Sequence, residues 1–446
     1  MLDLIIRGGQ AVTPGGVLPL DIGIEGGKIV ALHPELLQAA RTEHDAGGLH
    51  LLPGGVDLHV HFNEPGRSDW EGLHTGTSAL LAGGGTVFAD MPLNSDPPLL
   101  DAAGFAEKLK AAQAHAHADF AFWGGLTPLN LDRLPELAQA GVLGFKAFMS
   151  NSGVAEFPAA DETTLHEGMR QAAALGLTVA VHAESEALTA RLTAELNRPG
   201  ASWRDYLNSR PVQAELEAIR LALVLARETG CRLHVVHVSS GEGAALIAQA
   251  HSEGVDVSAE TCPHYLSFTE DDLERVGAAL KCAPPLRPQT VQNDLWSAVI
   301  QGDIQSIGSD HSPCSPDLKT SSNPFEIWGG IAGVQSGLSA LLTHGSRHGL
   351  SLPRLAELTA QAPARRFGLA GKGEIAVGFD ADLALVDLGV SIRLEASELL
   401  NRWPETSPYV GQTLTGRVVS TWLRGVQAYA GGRVDSGARG RLLRPA

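Results

Sequence analysis

Two kinds of hydrophobic pattern divide the chain. Near both ends, short alternating runs are separated by Gly-rich turns. DLIIRGG and PLDIGIEGGKIVAL read as strands, with alternation at Asp21-Ile22-Gly23-Ile24-Glu25 and a hairpin-type turn at Gly26-Gly27. Towards the other end, GEIAVGFDADLALVDL reads as two strands around a Gly-Phe-Asp turn, and GRVVSTWLRGVQAYAGGRV as another hairpin. Two β-rich ends around a different middle predict one small β domain built from residues 1–52 and 375–446.

The middle, residues 53–374, alternates short apolar runs with helical stripes. Strands are expected from near Val56, Thr86, Asp119, Val142, Thr178, Arg232, Asp256 and Asp303. Between them lie helical patterns such as Phe105-Ala-Glu-Lys-Leu-Lys-Ala-Ala. Another, Gln213 to Leu225, has apolar residues at i, i+3, i+4 and i+7. Eight strands alternating with helices predict an α/β fold, a (β/α)₈ TIM barrel. A doubly wound open sheet would usually carry a Gly-rich phosphate loop after its first strand. Here that strand runs into HVHFNEPGR.

Composition narrows the function classes. Of 446 residues 44% are hydrophobic, enough for a large core and against global disorder. The net charge of −17 leaves no basic face for nucleic acid or an anionic membrane, so neither is an expected partner. Cys231, Cys262, Cys282 and Cys314 form no CxxC pair, and free thiols fit a reducing compartment. MLDLIIRGGQAVTPGG is too broken for a signal peptide, and no run approaches the roughly 20 apolar residues of a membrane span. A cytoplasmic protein is expected.

Barrel enzymes carry their chemistry at the C-terminal ends of the strands. His59 and His61 lie there on the first strand, Lys146 on the fourth, His182 on the fifth, His237 on the sixth and Asp310 on the eighth. Side chains at i and i+2 share one strand face, so His59 and His61 can grip one metal. An HxH pair is a weak signal alone. Lys146 stands inside an apolar strand, Val142-Leu-Gly-Phe-Lys-Ala-Phe-Met, where an unpaired ammonium is very unfavourable. It is either a snorkelling or ion-paired lysine, or an amine kept neutral by desolvation and able to take up CO₂ as a carbamate. His182 and His237 can bind a second metal through neutral rings. His234, three residues from His237 and on the opposite face, reads as a packed core histidine. Asp310 is a metal ligand and general base, or simply a strand-end or capping aspartate. The set is N/O chemistry that suits zinc, iron, cobalt or manganese.

These residues and the blocks around them resemble the cyclic amidohydrolases of the amidohydrolase superfamily, a group that includes dihydroorotases, hydantoinases/dihydropyrimidinases and allantoinases. The resemblance runs over nearly the whole chain and implies that the β-rich ends form a composite β-sandwich domain. It implies two divalent metal ions, zinc first among the choices. His59 and His61 would hold one ion and His182 and His237 the other. An N6-carboxylated Lys146 would bridge them, and Asp310 would complete the first site and shuttle the proton. Dihydroorotases usually carry an arginine two residues after HxH; Asn63 stands there instead and cannot clamp a carboxylate. HFNEPGRSDWEG, MPLNSDPP, GFKAFMSNSGV, ETCPHYL, KCAPPLR and GSDHSPC look like the allantoinase branch, whereas a glutamine is common in hydantoinases where His264 stands. The implied reaction is hydrolytic opening of the hydantoin ring of allantoin to allantoate. Asn63, Asn94, Asn151, Ser152 and Ser312 are the candidate contacts to that small cyclic ureide, each also explicable as a loop cap or turn. A homotetramer is implied by resemblance alone. The alternatives are a hydantoinase/dihydropyrimidinase with the same machinery, a mononuclear deaminase, which Lys146 argues against, and a non-catalytic dihydropyrimidinase-like scaffold, which the complete ligand set argues against.

Overall fold

The protein is described here from a computed structural model covering residues 1–435, 437 and 439–445. A nine-stranded sheet joins the two ends of the chain. It takes Leu2–Thr13, Gly16–Glu25, Lys28–His33, Ala40–Asp45 and His50–Pro53 from one end. It takes Leu383–Arg393, Thr413–Leu423, Val426–Ala430 and Arg433–Val434 from the other. The junction is antiparallel, His50–Pro53 against Leu383–Arg393, with Leu51 opposite Leu385. The alternation at Asp21–Glu25 buries Ile22 and Ile24 against Ile6, Leu51 and Leu383.

Between those ends the strands are parallel. Gly55–Val60, Gly85–Asp90 and Asp119–Phe122 pair in sequence order. Gly124–Gly125, Gly144–Phe148, Thr178–His182, Arg232–Val235, Val257–Thr261 and Ser306–Ile307 then pair in sequence order as a second set. Trp123 separates the sets by one residue and donates its indole N–H to Leu58 O at 2.9 Å. At the other margin, His311 bridges in parallel to Val60, and His61 N donates to His311 O at 2.7 Å. The end of the first strand thus meets the segment that follows the last one. Strands buried on both faces explain the near-continuous apolar runs: every residue of Gly85–Asp90 and Thr178–His182 is buried.

Helices follow most of these strands. Asp101, Asp161, Ser185 and Ser240 each cap a helix start by accepting from a backbone N–H three residues on. The stripe from Gln213 to Leu225 lies within the helix Val212–Thr229, which Gly230 ends in the left-handed conformation. The strand expected from Asp303 is short, Ser306–Ile307, because Asp310 turns the chain at φ 45° into the site. Among the described residues no helix is long and apolar enough to cross a membrane.

A buried charge cluster ties the terminal sheet to the parallel strands. Lys372 Nζ lies 2.7 Å from Asp119, 2.9 Å from Asp380 and 2.7 Å from Asp382. Arg424 adds a contact to Asp119. Burial works to deprotonate Lys372, but Asp382 and Asp119 outweigh it and hold its pKa above the ordinary lysine range. Removing a buried partner leaves uncompensated charge and costs about 3–5 kcal/mol. Lys372→Met is expected to lower the denaturant midpoint of unfolding by a corresponding amount, whereas an unchanged midpoint would mean that the cluster adds no net stability.

Candidate metal centre

The strand series delivers ligand-type side chains to one cavity of about 690 Å³. His59 lies in Gly55–Val60 and His61 one residue beyond it. Their Nε2 atoms stand 3.3 and 3.4 Å from the same oxygen, Asp310 Oδ1, and the three residues form a compact potential cation-binding group. His182 ends its strand, and His237 follows Arg232–Val235 at φ 41°. The His182 and His237 ring centroids are 4.6 Å apart, and His237 is 5.4 Å from His59. The four rings thus form one cluster.

Lys146 is wholly buried in Gly144–Phe148, and its Nζ has no hydrogen-bond partner. The ammonium stands 5.0 Å over the Phe148 ring. Burial pulls its pKa down to about 7, with Asp310 and Glu260 pulling weakly the other way. The amine is therefore partly neutral near pH 7. Burial also lowers the pKa of His61, His182 and His237, which favours neutral, ligating imidazoles. Asp310 is the opposite case. Burial disfavours its charge, yet His59 and His61 hold its carboxyl below the ordinary range, so it stays ionised.

Two buried carboxylates, neither singled out in the sequence, orient the rings. Glu260 Oε1 is 2.7 Å from His59 Nδ1, and its other oxygen is 3.6 Å from His234 Nε2. Glu184 Oε2 is 2.7 Å from His182 Nε2 and also receives Arg210. Each carboxylate accepts one ring N–H and so leaves the second ring nitrogen free to ligate. Burial disfavours both charges. Arg210 and His182 still hold Glu184 down to about 2, and His59 and His234 do the same for Glu260. The one legible signal was spacing: Glu184 stands two residues after His182 in VHAE. His234 is a buried core histidine, 2.8 Å from Ser258 Oγ.

The expected wall residues divide. Asn94, Asn151, Ser152 and Ser312 line the cavity. The Asn94 amide is also 3.2 Å from His61 Nδ1 and steadies that ring. The Ser152 hydroxyl is engaged with Phe157 O at 2.6 Å, and Ser312 Oγ with Asp310 O at 3.0 Å. Asn63 is not among the lining residues; it sits at φ 64° and its Nδ2 donates to Pro313 O at 3.2 Å. Arg210 and Lys281 also line the cavity. Arg210 is neutralised by Glu184, and Lys281 donates to the carbonyls of Phe325 and Ile327. Gly330 completes the wall at φ 147°, where a Cβ would meet Ser312 O at 2.0 Å.

Known proteins share this chain throughout its length. The model of the amidohydrolase family matches residues 50–428. An allantoinase of Deinococcus radiodurans is 54% identical over 446 residues, covering 100% of this chain and 99% of that one. An allantoinase of Rubrobacter xylanophilus is 55% identical over 449 residues, covering 99% and 98%. Among solved structures, an L-hydantoinase (dihydropyrimidinase) from Arthrobacter aurescens matches with a TM-score of 0.96 at 35% identity, covering all of both chains. A dihydropyrimidinase from Brevibacillus agri matches at 0.91 and 31%, covering 100% of this chain and 99% of the other. By the family match and the length over which these relatives align, this chain belongs to the amidohydrolase family, among its cyclic amidohydrolases.

Proposed function

We propose that this chain opens the hydantoin ring of allantoin by metal-assisted hydrolysis, giving allantoate. The observation that carries the reading is Lys146: a fully buried amine without a partner, in reach of the field of Asp310 and Glu260 and beside the histidine cluster. An orphaned amine of lowered pKa is suited to carboxylation by CO₂, and the product is a carboxylate in a nest of metal ligands. On this reading His59, His61 and Asp310 would hold one divalent ion, His182 and His237 the other, and carboxylated Lys146 would serve both. Zinc is the ion we favour, from the N/O ligand set. The bound ions would bring a water's pKa towards neutrality and polarise the ring carbonyl.

The protein's own residues do the rest. Glu260 and Glu184 fix the ring orientations of His59 and His182. Asp310, ionised at neutral pH, takes the proton of the attacking water and returns it to the leaving ring nitrogen. Asn94, Asn151, Ser152 and Ser312 offer neutral polar groups to a ring that carries no charge. Among the described residues Arg210 is paired with Glu184 and the Lys281 amine is held by two backbone carbonyls, so neither is free to clamp a substrate carboxylate bidentately, which favours allantoin over dihydroorotate. The family relationship to allantoinases at 54–55% identity supports the same substrate. The architecture we propose is a (β/α)₈ barrel over residues 53–374 with a β-sandwich of residues 1–52 and 375–446; the meeting of Val60 with His311 supports closure.

The solved neighbours favour one second reading, a hydantoinase or dihydropyrimidinase with the same centre. Ring opening of allantoin, hydantoin, dihydrouracil and dihydroorotate by metal- and bicarbonate-supplied protein separates the two. Fast turnover of allantoin alone is expected; preference for hydantoin or dihydrouracil would assign the second reading. Asp310→Asn is expected to keep its circular dichroism spectrum and lose about 10²–10⁴-fold in kcat, the scale of a general acid–base group. Near-wild-type kcat in that variant would remove Asp310 from proton transfer.

A further inference from the structure

Asp310 belongs to a second group of ligand-type atoms, whose other two members the proposed reaction does not use. Cys262, His264 and Asp310 each offer one ligand atom, and the three atoms lie within 4.8 Å of one another. Cys262 ends the run after Val257–Thr261, and His264 stands two residues on, in the short helix Pro263–Ser267. Neither lines the cavity. Both are buried, His264 to 1% exposure. Packing alone accounts for its ring face, which lies 4.3 Å from Tyr265. Packing does not account for His264 Nε2, a buried ring nitrogen with no hydrogen-bond partner. Asp310 has capacity to spare: His59 and His61 both approach Oδ1, which leaves its other oxygen for a different partner.

We propose that Cys262, His264 and Asp310 form a third cation position, selective for thiophilic divalent ions such as zinc and cadmium, and that filling it inhibits the enzyme. Thiol sulfur, imidazole nitrogen and carboxylate oxygen are a borderline-soft set that favours such ions over magnesium or calcium. Binding replaces the S–H bond with a sulfur–metal bond and releases that proton to solvent; nothing is oxidised or reduced. Occupation draws on the carboxylate that otherwise carries the proton to the leaving nitrogen. The inhibitory half rests on the function proposed above; the cation site itself does not.

The test is a cadmium titration of the metal-loaded protein, read by bound metal at equilibrium, by the ultraviolet sulfur-to-cadmium band, and by turnover relative to each variant's own rate. Wild type is expected to bind one further equivalent, with the band rising as turnover falls. Cys262→Ser should lose the band, and both Cys262→Ser and His264→Gln should weaken the further equivalent by at least about tenfold, the scale of losing a partner at a metal site. Cys282→Ser should behave as wild type. No further equivalent in wild type, a band unchanged in Cys262→Ser, or a band lost only in Cys282→Ser would overturn the site. Should Cys262→Ser not fold, unaltered cadmium affinity in His264→Gln overturns it equally. Binding and the band need no substrate, so a chain inactive on every ring still tests the site. A band that grows without loss of turnover overturns the inhibitory role alone.

Discussion

The burial of Lys146 without a hydrogen-bond partner constrains the rest of the structure. A permanently charged ammonium could not stay there, so desolvation holds its pKa near 7. That burial depends on the strand Gly144–Phe148 lying between neighbours on both sides, paired with Gly124–Gly125 and Thr178–His182. The same pairing places Phe148 opposite His182, and their rings stack with centroids 4.5 Å apart. Fold and chemistry are therefore one constraint here: the parallel series that removes water from the amine also sets the imidazole beside it.

Around this amine the charges are arranged in matched pairs. Glu260 serves His59 and His234, and Glu184 serves His182 and Arg210. A buried carboxylate is costly unless it is paired, and each of these two meets two partners, Glu184 through Oε2 alone. Arg210 is thereby withdrawn from substrate binding although it lines the cavity. Asn94, Asn151, Ser152 and Ser312 remain as neutral polar groups on the wall, in keeping with an uncharged cyclic ureide.

Much of this was legible in the sequence because the strands are buried on both faces. Continuous apolar runs then mark the strands, and His59, Lys146, His182 and His237 stand out as polar breaks near their ends. Their spacing matters less than their position. Glu184, two residues past its strand, and Glu260, within one, escaped because an acid gives no sign of the histidine it will face, and the partner of Glu260 is 201 residues away. Asn63 was expected at the wall from its place after HxH, whereas its amide donates to Pro313 O. The Lys372 cluster was illegible for a similar reason: Asp119 is brought to it from 253 residues away by the return of the chain to the terminal sheet.

We propose that Lys146 is an amine kept neutral in order to become a bridging carboxylate. It is tested most directly by carbon-13 NMR of metal-loaded protein supplied with labelled bicarbonate. One enriched carbamate resonance is expected, absent from Lys146→Ala and growing in step with bound metal. Its formation in apo-protein should rise as pH increases through about 7, because only the neutral amine takes up CO₂. Two tightly bound metal ions without that resonance would contradict the account.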